Sequence, residues 1–264
     1  MEDKKMNVLF LIGSLAMGGK ERLLLDVIDR REALPFDAWC VCRKGPGDLS
    51  KGIITIPSKQ IFRFLFHLRK EVRSRKIQVI HAQSAFDSLL AVLATIGQKT
   101  KVVQTFHSYE FSTKPLFRIL ETLSFALCAK SVFVSKQQMK HFADVHKLSK
   151  QQKAKQVLIY NGVNFDRFPL SEHEPGERLQ LAMVGNFVPE KDQLFVCDFL
   201  KRLNGKYSNF DFYFIGERKA QYPSCQQKCI DFCETNNLNN NVRFLGRRDD
   251  VPELLSKMDA FVYC

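Results

Sequence analysis

The sequence lacks the features that mark several classes of protein. No uninterrupted apolar stretch approaches the ~20 residues that a membrane-spanning helix needs. The apolar run near the N-terminus, around residues 8–12, is shorter than the core of a secretory signal peptide. No internal repeat with the period of a solenoid is visible. We therefore expect a globular cytoplasmic protein.

Tryptophan is almost absent, and the cysteines do not form a metal-binding pattern. With one Trp and 23 Phe, aromatic burial falls mostly to Phe. Cys225, Cys229 and Cys233 recur every four residues and would line one face of a helix. Three thiols on a straight helix spread over ~12 Å, too far to converge on one ion. We predict buried or half-buried free thiols and no metal site.

Acidic residues are scarce in the first two-thirds of the chain. Residues 1–170 hold 28 Lys and Arg against 14 Asp and Glu, a net charge of +14. Residues 171–264 hold 12 basic against 14 acidic residues, a net charge of −2. This asymmetry predicts an anionic partner for the first part alone.

The segment Lys59–Lys76 mixes seven basic residues with Phe and Leu. Two interpretations stay open: peripheral contact with an anionic membrane, or an ordinary amphipathic helix whose basic face is solvated. Nucleic acid is not an expected partner, because the aromatic residues are spaced as core residues and not as a stacking platform.

Short apolar runs alternate with helical periodicity along the whole chain. In the first part we predict strands at 5–12, 38–42, 53–56, 79–82, 102–106, 131–134 and 157–160, with helices at 21–28, 62–76, 84–96, 116–129 and 136–145. A polar stretch at 170–178 predicts a linker. The alternation then restarts, with strands at 180–184, 210–215, 242–245 and 260–263 and helices at 193–203, 223–236 and 251–258. This pattern is typical of α/β proteins with parallel sheets, so we expect two Rossmann-like domains, residues 1–170 and 171–264.

The loop after the first strand, residues 13–19, is rich in small residues. Gly13 and Gly18 have the spacing of a Walker phosphate loop, but Lys20 comes one place late and Glu21 offers no hydroxyl. The dinucleotide fingerprint Gly-x-Gly-x-x-Gly is also missing. What remains is a tight turn at a helix start, whose backbone N–H groups can meet an anion. A pure packing role for this turn is the alternative.

Several motifs occur together and in order along the chain. They are Gly18-Gly19-Lys20-Glu21, Ser131–Lys136, Ile159–Asn164, Leu181–Asp192 and Asn241–Leu255. Together they resemble the retaining GT-B glycosyltransferases of family 4, in which the first is a Gly-Gly-x-Glu signature and the fourth a Gly-Arg-Leu…Lys-Gly donor motif. The resemblance implies the GT-B fold, two Rossmann-like domains, with the second incomplete. The family's acidic donor motif, a Glu followed eight residues later by another Glu, would come after Cys264.

The resemblance also implies roles for individual residues. His107, just beyond a strand end, matches the family's histidine that contacts the transferred sugar, so it is the catalytic candidate. For His81, at a similar strand end, a packing or orienting role is favoured. The implied donor site has two parts: the diphosphate is bound by Gly18, Gly19, Asn186 and Lys191, and the nucleobase is lined by Gly216, Glu217, Gly246 and Arg247.

One of these positions departs from the family pattern. Asn186 stands where Arg is usual, which removes a charged contact worth ~1.5–3 kcal/mol. The amide of Asn186 can still donate a hydrogen bond. We therefore expect donor binding to be weakened or differently shaped.

The function implied by the resemblance is sugar transfer from a nucleotide-diphosphate donor to a glycan or lipid-linked acceptor, in polysaccharide or glycan synthesis. The first domain would bind the acceptor and the second the donor. The nucleotide sugar is a co-substrate, and no cofactor or metal is implied. A lipid-linked acceptor would bring the enzyme to the cytoplasmic face of a membrane. The alternative is a catalytically incomplete fragment, or a non-catalytic module that binds nucleotide sugars.

Overall fold

The computed structural model describes residues 5–15, 18–44, 54–56, 60–107, 115–168, 174 and 176–264. The chain divides into two compact units, Met1–Val163 and Asn164–Cys264. The described residues form one parallel sheet in each unit, which confirms the predicted α/β class with two Rossmann-like sheets. Two predicted segments begin outside the described residues: a strand predicted from Ile53 and the basic segment from Lys59.

The first unit contains a seven-stranded sheet in the described residues. Its strands are β1 Met6–Ile12, β2 Phe36–Cys42, β3 Ile54–Thr55, β4 Val79–Ala82, β5 Lys101–Phe106, β6 Lys130–Phe133 and β7 Gln156–Leu158. Their order is β3-β2-β1-β4-β5-β6-β7, with parallel pairing throughout. The chain runs outward from β1 in both directions, so the carboxyl ends of β1 and β4 form a topological switch point. Open α/β sheets bind their ligands at this position.

Helices cover both faces of this sheet. They are α1 Gly19–Asp29, α2 Ile61–Ser74, α3 Ala85–Thr95, α4 Pro115–Leu127, α5 Lys136–Val145 and α6 Lys150–Lys153. On one face, Leu9 and Leu11 of β1 pack in a core with α2 and α3. On the other, Val8, Phe10 and Ile12 pack against α1. Successive side chains of a strand point to opposite faces, so the continuous apolar run of β1 is explained by burial on both.

Side-chain caps position two of the longer helices. Ser84 accepts a hydrogen bond from the backbone N–H of Asp87 at the start of α3, and Ser135 does the same for Gln138 in α5. The motif Ser131–Lys136 therefore contains a serine N-cap. None of the described helices is long and apolar enough to cross a bilayer.

Two local features differ from the sequence prediction. Helix α6 was not predicted, because its four residues carry no apolar periodicity; it is fixed by a capping box between Ser149 and Gln152. Strand β7 ends at Leu158 and not at residue 160, and the two residues that follow are exposed.

The second unit has a smaller parallel sheet. Its strands are β8 Leu179–Val184, β9 Phe210–Ile215, β10 Val242–Gly246 and β11 Ala260–Phe261, in the order β10-β9-β8-β11. Its helices are α7 Gln193–Asn204, α8 Pro223–Thr235 and α9 Val251–Leu255. Helix α9 and strand β11 end earlier than predicted. The core is formed largely by Phe side chains of β9 and by the inner faces of α7 and α8.

Three of the cysteines meet in this second core. Cys197 of α7 and Cys233 of α8 have their Sγ atoms 3.9 Å apart, and Cys229 is also buried. All eight cysteines of the chain are free, and Cys264 alone among them is exposed. Cys225, Cys229 and Cys233 lie on one helix, as predicted.

Candidate functional site

In the first unit, helix α1 begins at the carboxyl edge of the sheet. Gly18 caps the helix in an extended conformation without a side-chain hydrogen bond. Glu21, in the first turn, is buried, and a Cβ atom added to Gly18 would overlap its carboxylate. Glycine at position 18 therefore lets Glu21 fold back against the helix start. At Gly19 an added Cβ would meet nothing within 4 Å.

His107 follows β5 and is held by a side chain from the neighbouring strand end. Its Nε2 atom lies 2.7 Å from Oε1 of Gln83, which is buried just beyond β4. With that oxygen as the acceptor, Nε2 carries the proton and Nδ1 is a hydrogen-bond acceptor. Burial, followed by the charges of Lys20 and His81, lowers the pKa of His107 to about 4. The imidazole is therefore neutral at pH 7.

His81 of β4 supports this arrangement from inside the sheet. Its Nε2 atom lies 2.7 Å from Oγ1 of Thr105 in β5, and burial lowers its pKa to about 4. The ring also packs 5.4 Å from that of Phe10. These contacts are those of a packed core histidine.

The turn at α1 and the end of β5 line one cavity of the first unit. It has a volume of about 630 Å³, and its walls include Gly19, Lys20, Gln83, His107 and Asn161. A neutral imidazole and a helix N-terminus therefore share one opening at the switch point. A lysine ammonium stands beside them. Such a set can donate to and accept from hydroxyls and can attract an anion.

In the second unit, the loops after β8, β9 and β10 come together at the carboxyl edge of the sheet. The N–H of Gly185 donates to the carbonyl of Ile215 at 2.9 Å, and the N–H of Gly216 donates to that of Gly246 at 2.9 Å. Gly246 has a positive φ of 65°, which favours glycine. Two of the predicted positions, Gly216 and Gly246, therefore lie in one backbone cluster.

Gly216 is the position with the least space. A Cβ atom added there would lie 2.5 Å from the carbonyl carbon of Gly185 and would overlap its oxygen. The obstacle is backbone, which cannot rotate away as a side chain can. The approach of the two loops therefore requires glycine at this position.

Asn186 connects these two loops through its side chain. Its Oδ1 atom accepts a hydrogen bond from the backbone N–H of Glu217 at 3.0 Å. Its own carbonyl accepts from the side-chain amide of Gln193, which is buried at the start of α7. The carboxamide oxygen of Asn186 thus has a structural partner, and its amide nitrogen is the group that could donate to a ligand.

Lys191 ends a short 3₁₀ helix, Pro189–Lys191, just before α7. Its aliphatic chain lies beside Gly185, where an added Cβ would meet Cδ and Cε of Lys191 at 3.6 Å. The ammonium donates a hydrogen bond to Oη of Tyr263 and lies 4.5 Å from the centre of that ring. The positive charge is therefore held next to the Gly185 loop.

The remaining predicted positions lie at the rim of this cluster. Glu217 forms an ion pair with Lys219, and Arg247 is an exposed residue next to Gly246. Asp250, close by, pairs with Arg248 at 2.6 Å, and this contact lowers the pKa of its carboxyl. Within the described residues, no group of three or more His, Cys, Asp and Glu side chains is arranged to hold a metal ion.

Two residues of these sites were missed by sequence reasoning. Gln83 was not identified as a site residue, although it lies at a strand end like His107. Tyr263 was treated only as part of a strand, and its contact with Lys191 joins positions 72 residues apart. The strand-end rule could have indicated Gln83, whereas no sequence signal indicates the Tyr263 contact.

Two protein-family models match this chain, one in each unit. Residues 17–167 match the model described as "Glycosyltransferase Family 4", and residues 178–264 match "Glycosyl transferases group 1".

Two curated proteins are similar at low identity. One is the capsular polysaccharide biosynthesis glycosyltransferase CapH of Staphylococcus aureus, 22% identical over 76% of this chain. The other is the UDP-Gal:alpha-D-GlcNAc-diphosphoundecaprenol alpha-1,3-galactosyltransferase of Escherichia coli, 23% identical over 75%. The chain spans 57% and 54% of the lengths of these relatives.

Solved structures share the fold. Anabaena HepE, determined in complex with UDP and glucose, superposes with a TM-score of 0.79 at 17% identity, covering 98% of this chain and 74% of HepE. A glycosyltransferase from Rickettsia africae gives 0.80 at 20% identity, covering 98% and 73%. The predicted GT-B fold is thereby confirmed. Since the first family model alone covers more than half of the sequence, this chain belongs to glycosyltransferase family 4.

Proposed function

We propose that this chain is a retaining glycosyltransferase that moves a sugar from a nucleotide-diphosphate donor to a glycan or lipid-linked acceptor. The observation that carries the proposal is the cluster of three glycine-bearing loops at the edge of the second sheet, with the Lys191 side chain beside Gly185. Because glycine has no side chain, these loops leave their backbone accessible to a flat nucleobase. The ammonium of Lys191 supplies a positive charge that can pair with the negative diphosphate.

In the second unit, the donor diphosphate is assigned to Lys191 and Asn186. In the first unit, the turn at Gly18 and Gly19 is taken by itself as a candidate for binding a phosphate group. An ammonium has three donors, so Lys191 can keep its bond to Tyr263 and still donate to phosphate oxygens. When the sugar leaves, negative charge grows on the diphosphate, and a fixed positive charge stabilises that change. The nucleobase is assigned to Gly216, Glu217, Gly246 and Arg247.

His107 is assigned to the transferred sugar. Because its pKa is about 4, it meets the sugar as a neutral ring, with Nε2–H bonded to Gln83. Nδ1 is then the atom that accepts a hydrogen bond from a sugar hydroxyl. In this role His107 orients the sugar without taking up a positive charge.

The names of the similar proteins support the substrate classes. The Escherichia coli relative is named for UDP-galactose and a diphosphoundecaprenol-linked acceptor, the Staphylococcus aureus relative for capsular polysaccharide, and HepE was solved with UDP. We therefore propose a uridine diphosphate sugar as the first donor to test and polysaccharide or glycan synthesis as the setting. A lipid-linked acceptor would place the reaction at the cytoplasmic face of a membrane.

The test is a transfer assay with the purified chain. A panel of nucleotide-diphosphate sugars is incubated with a diphosphoundecaprenol-linked glycan, and the released nucleotide and extended glycan are measured by chromatography and mass spectrometry. We expect transfer with one donor, and NMR should show the donor's anomeric configuration kept in the product. An inverted product would contradict the retaining assignment.

A second function is favoured by one observation. Oδ1 of Asn186 accepts a hydrogen bond from the N–H of Glu217. Only the neutral amide nitrogen of Asn186 can therefore donate to a ligand, at a position where the family has a charged Arg. A non-catalytic module that binds nucleotide sugars would have such a weakened diphosphate site. Calorimetric binding of the nucleotide sugar with neither transfer nor hydrolysis would establish this alternative.

A further inference from the structure

Arg43 lies at the carboxyl edge of the first sheet, directly after β2. Its backbone N–H donates to the carbonyl of Ile12, and the N–H of Lys44 donates to that of Gly13. A Cβ atom added to Gly13 would lie 3.2 Å from Nη2 of Arg43. The side chain of Arg43 is 20% exposed. The guanidinium therefore sits beside the turn that follows β1, at the switch point of the sheet, and part of it reaches solvent there.

Two contacts hold this guanidinium in one orientation. Nε of Arg43 donates a hydrogen bond to Oδ1 of Asp87 at 2.8 Å, and the side chain of Asp87 is buried. The other carboxylate oxygen of Asp87 accepts from the hydroxyl of Ser84 at 2.7 Å. The guanidinium carbon also lies 4.9 Å from the centre of the Phe86 ring. The plane of the guanidinium is thus fixed in the absence of a ligand.

These contacts do not use the Nη groups of Arg43. Among the described residues, Nε is the one guanidinium nitrogen of Arg43 that has a hydrogen-bond partner. Arg69 shows the contrast of an arginine used to hold backbone, because its Nη1 donates to the carbonyls of Ala94 and Ile96. Two adjacent NH₂ groups of one guanidinium match two oxygens of a phosphate.

The surroundings of Arg43 favour an anion that belongs to a substrate. Lys44, the next residue, is exposed and adds a positive charge to the pair of Arg43 and Asp87. The net charge of +14 over residues 1–170 attracts anions to the same unit. Ser84 lines the cavity that contains His107, so Arg43 is separated from the cavity wall by two hydrogen bonds. One molecule can therefore reach both the cavity and Arg43.

We propose that Arg43 binds a phosphate group of a substrate, in a site of the first unit that Asp87 and Phe86 keep in shape. Nη1 and Nη2 donate to two phosphate oxygens, while the carboxylate of Asp87 holds the Nε edge. The identity of the substrate rests on the proposed transfer reaction. Two molecules in that reaction carry phosphate, an acceptor linked through phosphate and the nucleotide-diphosphate donor, and the experiment separates them.

The test titrates inorganic pyrophosphate, which carries the phosphate chemistry without a sugar or a base. Arg43 is followed by the NMR signal of its Nε–H group, which is identified by its loss in Arg43→Lys. We expect a saturable shift with a dissociation constant below about 1 mM, in the wild-type chain and in Lys191→Met alike. Because Lys191→Met removes the cation assigned to the donor in the second unit, failure of that assignment would leave this result unchanged.

Variants measured by calorimetry in the Lys191→Met background test the guanidinium. Arg43→Lys keeps the charge but has no planar fork, so pyrophosphate should bind about tenfold more weakly. Removal of the guanidinium alone would leave the buried carboxylate of Asp87 unpaired and could unfold the unit. Arg43→Gln is therefore combined with Asp87→Asn, which replaces the ion pair by two neutral amides. This double variant should lose at least as much affinity as Arg43→Lys.

The matched control comes from the second unit. Nε of Arg178 also donates to an aspartate, Asp211, at 2.6 Å. Arg178→Lys makes the same chemical change away from the proposed site, and pyrophosphate affinity should stay within about twofold. Equal losses in Arg178→Lys and Arg43→Lys would overturn the site. So would the lack of a saturable shift of the Arg43 signal.

Further titrations identify the source of the phosphate. A panel of hexose 1-phosphates with the matching methyl hexosides stands for the acceptor, and uridine diphosphate stands for the donor. Weaker binding of a hexose 1-phosphate to Arg43→Lys, with the methyl hexoside unaffected, assigns the site to a phosphate-linked acceptor. Weaker binding of uridine diphosphate alone assigns it to the donor. Unchanged affinity for all of these ligands would overturn the proposal.

Discussion

Replacing Gly216 with alanine tests how tightly the loops of the second unit are packed. The added methyl group would overlap the carbonyl oxygen of Gly185 and lie 3.0 Å from the backbone nitrogen of Asn186. Neither atom belongs to a side chain that can rotate away. The loops after β8 and β9 must therefore move apart to accept the substitution.

The expected cost follows from what that separation disturbs. Forcing one extra methyl group into a packed site costs about 1–3 kcal/mol. The Asn186–Glu217 hydrogen bond crosses the same contact, and its loss adds about 1 kcal/mol. Alanine recovers about 0.4–1 kcal/mol by restricting the unfolded chain. We expect the free energy of unfolding of the second unit to fall by about 1–3.5 kcal/mol.

Hydrogen exchange followed by mass spectrometry reads the two units separately. Gly216→Ala should lower protection around residues 185–187 and 215–218 and leave the peptides of the first sheet unchanged. Affinity for a nucleotide-diphosphate sugar, measured by calorimetry, should fall more than tenfold. Gly205→Ala is the control, because a Cβ there would meet its nearest atom at 3.6 Å. Unchanged protection and unchanged donor affinity in Gly216→Ala would refute the reasoning.

Three further predictions concern the first unit. Gln83→Leu removes the acceptor for Nε2–H of His107, so kcat for transfer should fall about tenfold or more; Gln83→Glu should instead raise the pKa of His107 in the pH–rate profile. The pKa of His81 is about 4 in the folded state and about 6.5 in the unfolded chain. As pH falls, the imidazole is therefore protonated in the unfolded chain before it is protonated in the folded state. Stability of about 3 kcal/mol from this residue, present above pH 6.5, is thus lost between pH 6.5 and 4. His81→Gln should make the fall of the urea midpoint over that window shallower, while His107, whose pKa is also about 4, keeps part of the fall. Gly18→Ala should displace the Glu21 carboxylate and cost about 1 kcal/mol in urea unfolding, whereas Gly19→Ala should be neutral; equal effects would contradict the turn geometry.

The alternation of apolar runs was enough to predict the sheets and most helices. The unbroken run of β1 predicted burial on both faces, and the structure packs its residues alternately into two cores. Where local patterns were weak, prediction failed. Helix α6 depends on a side-chain capping box and not on periodicity, so it left no pattern to read.

The candidate sites depend on contacts between residues distant in sequence, and these could be predicted only in part. The strand-end rule indicated His107 as a candidate, whereas Lys191, which ends a short 3₁₀ helix, was indicated through the family resemblance alone. The sequence indicated Gly216 as a site position, but it did not show that an added Cβ there would meet a backbone oxygen, whereas one at Gly205 has room. Likewise, Asn186 was interpreted as a hydrogen-bond donor to the diphosphate. Its hydrogen bond to Glu217 was not foreseen, because that bond joins the ends of two strands.

The central claim is that Lys191 binds the diphosphate of the donor. Calorimetric titration of a nucleoside diphosphate into the wild-type chain and into Lys191→Met tests it most directly, with Lys206→Met as the control. Removing a charge-assisted contact of about 1.5–3 kcal/mol should weaken binding about ten- to 150-fold, and the free nucleoside should bind both proteins equally. Equal affinity of the wild type and Lys191→Met for the nucleoside diphosphate would contradict the account.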